Sequence, residues 1–459
     1  MKLITNGYII TMDKEGRVYR RGGVVFDGSS IVEVGNSDEL INKYSNAEII
    51  DAEHKVVMPG LIDSHVHLFQ ALFRGLGDDL SLIEWLQKCI WPLSKALGRK
   101  ESKIGALLCA LEMVKTGTTS FVDSHYITKD KECYDGIAEA IEELGIRGTI
   151  VRSTINQSPA PEIFHENIDI AQKEAARVIE TYNGTADGRI KVRVEPLNES
   201  LASREMIKAM HDVSLTYNVG MSMHLAEVRS RVDMIRSKYG VSSVEYLNDI
   251  GVLGPGTLLA HCIWIDKDDI ALLAATDTRV VHNPVTNQYL ADGVAPIPDL
   301  LKNGVKVALG ADGAASNNNQ DMFEVMKSAV LMQKVHTLNP LALTAEQALK
   351  MATIDAACAL GMEDKIGSLE VGKKADIILI DLLRPEMTPA ISIASNLVYA
   401  ANGSVVDTVI IDGKTVMKNR LLTTMDEMKI IESAEKTIRR MIEETGSTAL
   451  LTPGSWKVL

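Results

Sequence analysis

At 459 residues the chain exceeds what one compact core usually holds, and its 46% hydrophobic and 24% charged residues are the balance of a soluble globular protein, so one large domain with a smaller annex is expected. The formal charge of −13 and the sequence pI near 5.3 exclude nucleic acid and anionic membrane as natural partners, because the mean field repels both. Five cysteines, odd in number, scattered and never in a CxxC pair, fit reduced thiols; with no leader pattern at the start and no apolar run of the roughly 18 residues a membrane span needs, the expectation is a cytoplasmic protein.

Residues 1–57 read as short strands and turns. "KLITNGYIITM", "GGVVFDGSSIVEVG" and "AEIIDAEHKVVM" are rich in β-branched residues and punctuated by Asn-Gly, Asp-Gly and Gly-Gly. From residue 58 to 362 the rhythm changes to short apolar runs alternating with longer helix-period segments. "VVMPGLIDSH", "GTTSFVDSH", "RGTIVRST", "IKVRVEPL", "VGMSMHLAE", "GTLLAHCIW", "RVVHNP" and "VKVALGAD" make eight runs, which predicts a parallel (β/α)8 TIM barrel. Residues 363–423, with "ADIILIDL" and "DTVIIDGKTVMKN", return to the strand-and-turn style. The fold class expected is therefore α/β, with a small β-sandwich domain formed by both chain ends (1–57 and 363–423), the barrel inserted between them, and a helical tail over 424–459.

The histidines stand where such a barrel needs them for chemistry. Side chains at the carboxyl ends of the strands face the mouth, and residues i and i+2 point the same way. His65 and His67 then present two imidazoles to one point, and four other runs end in His224, His261, His282 and Asp312. Neutral imidazoles and a carboxylate suit Zn2+ or Fe2+, and a cation with an open position lowers the pKa of water toward neutrality. Glu227, three residues after His224, is suited to carry the proton away. A lone strand-end histidine is more often a hydrogen-bonded residue than a ligand, and for His282 a bond across strand ends is as good a reading. What changes the odds is HxH, HxxE, a single His and an Asp each closing a separate strand. His54, His165, His211 and His336 fall in turns or helices and are read as structural.

Over nearly its whole length the chain resembles the amidohydrolase superfamily, in the branch of aminohydrolases and chlorohydrolases acting on nitrogen heteroaromatics. The motifs are "PGLIDSHVHL" (59–68), "TGTTSFVD" (116–123), "HLAE" (224–227), "AHC" (260–262), "HNPVTN" (282–287), "GADGAASNNN" (310–319) and "IGSLEVGKKADIILID" (366–381). The resemblance implies that His65, His67, His224 and Asp312 bind one divalent metal, Zn2+ before Fe2+, with Asp312 also deprotonating the attacking water. It implies that Glu227 shuttles the proton to a ring nitrogen, that His261 bonds water or substrate, and that the chain forms a homodimer or larger homo-oligomer. Two-metal members usually carry a carboxylated lysine at the end of the fourth strand. Here that strand offers Glu195 and no lysine, which favours one metal, with Glu195 as a bridging alternative.

The reaction implied is hydrolytic deamination of an amino-substituted purine, pterin or triazine-like heterocycle, with a triazine-type chlorohydrolase as the alternative and a non-catalytic scaffold as a remote one. "DDLSLIEWL" is similar to deaminases of S-adenosylhomocysteine and methylthioadenosine, in which the position of Glu84 holds ribose hydroxyls; Glu84 reads equally well as a solvated residue beside a core Trp85. Those relatives end the fourth strand in His-Ala-Pro-Tyr, where this chain has Leu197, Asn198, Glu199 and Ser200. The chlorohydrolase has asparagine after the metal-binding aspartate, where this chain has Gly313, although Ser316 matches its serine; "TPGSW" near the C-terminus adds kinship to that side. Glu84, Trp85, Asn198, His282 and Ser316 are thus the expected substrate contacts.

Overall fold

The computed structural model describes residues 1–127 and 129–451; the TPGSW segment lies outside the described residues. In chain order the strands are β1 (Lys2–Ile10), β2 (Val18–Asp27), β3 (Ser30–Asn36), β4 (Glu48–Asp51) and β5 (Lys55–Pro59). Then come β6 (Leu61–His67), β7 (Thr118–His125), β8 (Arg147–Thr154), β9 (Ile190–Pro196) and β10 (Gly220–Leu225), followed by β11 (Thr257–His261), β12 (Arg279–His282), β13 (Val307–Leu309) and the two-residue β14 (Asp312–Gly313). The last are β15 (Ile377–Asp381), β16 (Val406–Ile411), β17 (Lys414–Lys418) and β18 (Leu421–Leu422).

They form two nine-stranded sheets. One runs β18-β17-β16-β15-β5-β1-β2-β3 with β4 on β1, so strands from both ends of the chain share it. The other runs β13-β12-β11-β10-β9-β8-β7-β6-β14, all parallel. Only Gly310 and Ala311 separate β13 from β14, and β14 pairs with β6, so this sheet curls round until its first strand meets its last. Its strands β7 and β8 are buried along their whole length, as expected where helices cover the outside and side chains fill the inside.

The sequence sets these elements locally. The helix Ser243–Ile250 starts on a capping box, in which Ser242 Oγ accepts from Glu245 N at 3.0 Å and Glu245 Oε2 accepts from Ser242 N at 2.8 Å. It ends on Gly251 at φ +81°, a left-handed residue that glycine supplies without strain. The charged tail forms the helix Glu427–Thr445, which buries Ile430, Ala434 and Met441 and is tied by Glu427 to Lys115 Nζ at 2.7 Å.

One run behaves differently from its reading. "VVMPGLIDSH" is not a single barrel strand: it is cut at Gly60, with β5 in the first sheet and β6 in the curled one. Gly60 passes so close to β7 that a Cβ there would lie 2.0 Å from Thr119 Oγ1, so only glycine lets the chain cross between the sheets.

Candidate active site

The carboxyl ends of the parallel strands bring together the side chains that the motifs single out. His65 and His67 leave β6, His224 leaves β10, His261 closes β11 and Asp312 opens β14. His67 Nε2 lies 3.1 Å from Asp312 Oδ1, His65 Nε2 3.8 Å from the same oxygen, and His224 Nε2 3.4 Å from His67 Nε2. The donor atoms of His65, His67 and His224, and those of His65, His261 and Asp312, fall in two trios, each within 4.8 Å of one another, and all five residues are buried. His261 and Asp312 hold φ of +74° and +65°, a left-handed backbone that costs about 1–3 kcal/mol and is retained where a side chain must be aimed.

A ring of acceptors behind the imidazoles fixes their orientation. His67 Nδ1 lies 2.6 Å from Ser124 O, His261 Nδ1 3.0 Å from Asn287 Oδ1, and His224 Nδ1 3.2 Å from Glu195 Oε1. An N–H directed outward at Nδ1 leaves the Nε2 lone pair facing the centre. Glu195 also accepts from Ser124 Oγ at 2.5 Å, and its carboxylate stands behind His224.

The electrostatics favour a cation-ready centre. Burial, then the neighbouring His224 charge, drives the His65 pKa well below the ordinary range, which keeps the ring neutral. For Asp312 burial pushes upward, but the hydrogen bond to His67 and the facing imidazoles outweigh it and hold the carboxylate ionised. Burial likewise opposes ionisation of Glu227 and is outweighed by His261 and Arg231. His65 Nε2 and His261 Nε2 are buried without a hydrogen-bond partner among the described residues. Such atoms cost free energy unless a ligand meets them, and three neutral imidazoles with a carboxylate are the donor set that Zn2+ or Fe2+ takes.

His67, His224, His261 and Asp312 of this cluster line a cavity. Leu82, Trp85, Leu86, Leu197, Leu201 and Leu290 give it apolar walls, and Asn198 and Ser316 also line it. Trp85 Nε1 donates to Ala315 O at 3.1 Å, which sets the indole plane. Asn198 Oδ1 accepts from Ser200 N at 3.0 Å and Leu201 N at 2.8 Å, so its carbonyl serves the turn. Ser316 Oγ donates to Gly313 O at 3.2 Å.

Two expected substrate contacts are not brought to the cavity. Glu84 is exposed, 3.1 Å from Lys88 Nζ and accepting from Ser81 Oγ at 2.9 Å, because it occupies the outer face of the turn whose inner face carries Trp85. His282 is buried and does not line the cavity; burial, then the neighbouring His261, pushes its pKa down to about 3, so it is a neutral interior ring.

Other polar lining residues were not among the expected contacts: Tyr126 and Arg231 lie outside the motifs, and Thr286 lies within HNPVTN. Arg231 carried a readable signal, the i, i+4 spacing from Glu227, with which it is paired. Tyr126 OH accepts from Gln70 Nε2 at 2.9 Å, and a Cβ on Gly313 would lie 1.8 Å from Gln70 Oε1. Glycine at 313 therefore makes room for the glutamine that orients Tyr126.

Buried imidazoles and a carboxylate converging at the carboxyl ends of a curled parallel sheet define the class of metal-centred hydrolases. The chain belongs to the amidohydrolase family, whose model matches residues 56–416. It is 41% identical to a 5'-deoxyadenosine deaminase of Methanosarcina acetivorans over 96% of this chain and 98% of that one. It is 39% identical to a 5-methylthioadenosine/S-adenosylhomocysteine deaminase of Pelotomaculum thermopropionicum, again over 96% and 98%. Among solved structures, a zinc-bound adenosine deaminase from Xanthomonas campestris superposes with a TM-score of 0.89 at 27% identity, covering 96% of this chain and 98% of that one.

Proposed function

We propose that this chain is a metal-dependent aminohydrolase that replaces the exocyclic amino group of an adenine nucleoside, modified at its 5' position, by oxygen and releases ammonia. The observation that carries the reading is the convergence of His65, His67, His224 and Asp312 beside the buried carboxylate of Glu227, at the floor of a cavity with apolar walls. The nucleoside class rests on the likeness to 5'-deoxyadenosine and 5-methylthioadenosine/S-adenosylhomocysteine deaminases. Zinc rests on the zinc-bound adenosine deaminase, and a single ion per chain on Glu195 being engaged behind His224. The architecture is read as a (β/α)8 barrel, with the sheet shared by the chain ends as a small sandwich beside it.

His65, His67, His224 and Asp312 would hold the cation. When bound, it supplies Lewis acidity that lowers the pKa of water toward neutrality. The protein's own groups then manage protons. Asp312, held ionised, accepts a hydrogen bond from the attacking water, and His261, with its Nδ1 engaged by Asn287, turns Nε2 to the same place. Water adds to the ring carbon bearing NH2, its proton passes to Glu227, and Glu227 delivers it to the adjacent ring nitrogen. A further proton from the adduct's hydroxyl travels by the same carboxylate to the amino group, the C–N bond breaks, and ammonia leaves with the ring carbonyl formed. The apolar walls exclude bulk water from these transfers.

The test is ammonia release from 5'-deoxyadenosine, 5'-methylthioadenosine, S-adenosylhomocysteine, aminopterins and aminotriazines, with chloride release from chlorotriazines read in parallel. Ammonia from the adenine nucleosides supports the reading, whereas turnover confined to triazines replaces the substrate class.

A further inference from the structure

The cavity wall contains a charged residue that the proton path described above does not use. Arg231 lies in the first turn of the helix Arg229–Tyr239, and its Nη1 is paired with Glu227 Oε2. Both side chains are almost sealed from solvent, 9% and 7% exposed, so water screens the pair little. Glu227 itself stands in the short connection between β10 and that helix, where a carboxylate has free torsions unless something holds it. Its other oxygen, Oε1, lies 3.7 Å from His261 Nε2.

We propose that Arg231 is the positioning residue for proton transfer: by holding Glu227 Oε2 it fixes Oε1 as the oxygen that faces the reacting atoms. The inference rests on the reading of Glu227 as proton carrier and adds the device that makes it work. A carboxylate that must take a proton from one partner and deliver it to another within one turnover loses rate whenever it rotates away, and an anchor on one oxygen removes that freedom. After His261, the anchor also lowers the carboxyl pKa against its burial. A ring nitrogen flanked by an electron-poor carbon is a weak base, and protonating it calls for an acid stronger than an unpaired buried carboxyl. Two other buried acids feel the same guanidinium, Glu199 and Asp292. Burial raises both, Asp292 to about 9 with the Glu227 charge as the next cause, so Glu227 is the acid of this group that stays ionised. Arg231 also borders a second cleft, lined by Trp91, Ser158, Pro159 and Met234.

The experiment compares zinc-loaded wild type, Arg231→Gln, Arg231→Lys, Arg231→Ala and Glu227→Gln for ammonia release, with metal content measured on each. Arg231→Gln should lose about 10- to 100-fold in kcat, the range for residues that orient a catalytic group, with KM and zinc content unchanged. Arg231→Lys, which keeps a charge and is the variant to use should the glutamine form fail to fold, should fall between Gln and wild type. Added guanidinium should raise kcat of Arg231→Ala and leave Glu227→Gln inactive. Wild-type kcat in Arg231→Gln, a loss carried by KM, or lysine and guanidinium variants no better than Gln would each overturn the positioning role. Full activity in Glu227→Gln would instead overturn the underlying reading of the site.

Discussion

The two ends of the parallel sheet bury charge in opposite ways. At the amino end, where β8 begins, Arg147 meets Asp376 at 2.7 Å and Asp412 at 3.3 Å, Lys374 reaches Asp412 at 3.1 Å, and Asp376 Oδ1 accepts from Asp412 N at 2.7 Å. That network joins the curled sheet to the one formed by the chain ends. At the carboxyl end the donors crowd without closing: His65 Nε2 and His261 Nε2 find no partner among the described residues, and His67 and His224 face each other at 3.4 Å. A fold that pairs charge at one end and turns unpartnered nitrogens toward one point at the other is built for stability at the first and for a ligand at the second.

The largest effect that would break this contrast comes from the ligand end. His67→Ala or Asp312→Ala should bring bound zinc and ammonia release to background while the circular dichroism of the metal-free protein keeps the wild-type fold. A variant that turns over normally would void the assignment. Next, Glu227→Gln should lower kcat about 100- to 10,000-fold with zinc retained, read by steady-state kinetics and metal analysis. Glu195→Gln sharpens the contrast further: it loosens His224 from behind, and zinc affinity or activity should fall about 10- to 100-fold in a chelator competition. At the paired end, Arg147→Met should leave kcat per folded molecule at the wild-type value and cost about 3–5 kcal/mol in urea unfolding, because Asp376 and Asp412 are then buried without their partner.

Much of the ligand end was legible in the sequence because strand ends are written locally. An apolar run closing in His65 and His67, in His224, in His261 or in Asp312 states both the strand and what it presents. Glu227 was legible for the same reason, three residues past a strand-end histidine. What was not legible depends on partners far apart in the chain. That Glu195 meets His224 Nδ1 at 3.2 Å joins residues of two strands, which neither run states. Gly313 looked like a missing side chain, and it is the space for Gln70, 243 positions earlier by numbering. Glu84 and Trp85 are neighbours in sequence on opposite faces of one turn, so a motif could not tell which of them enters the cavity. The break at Gly60 was hidden because the run on either side is equally apolar, and only the approach of Thr119 requires it.

Zinc content per chain is to be determined together with ammonia release from 5'-deoxyadenosine on one preparation, as zinc is titrated into chelator-stripped protein. Activity should rise in proportion to zinc and saturate at about one ion per chain. Ammonia release at full rate from protein that holds no divalent metal, or saturation only at two ions per chain, would contradict it.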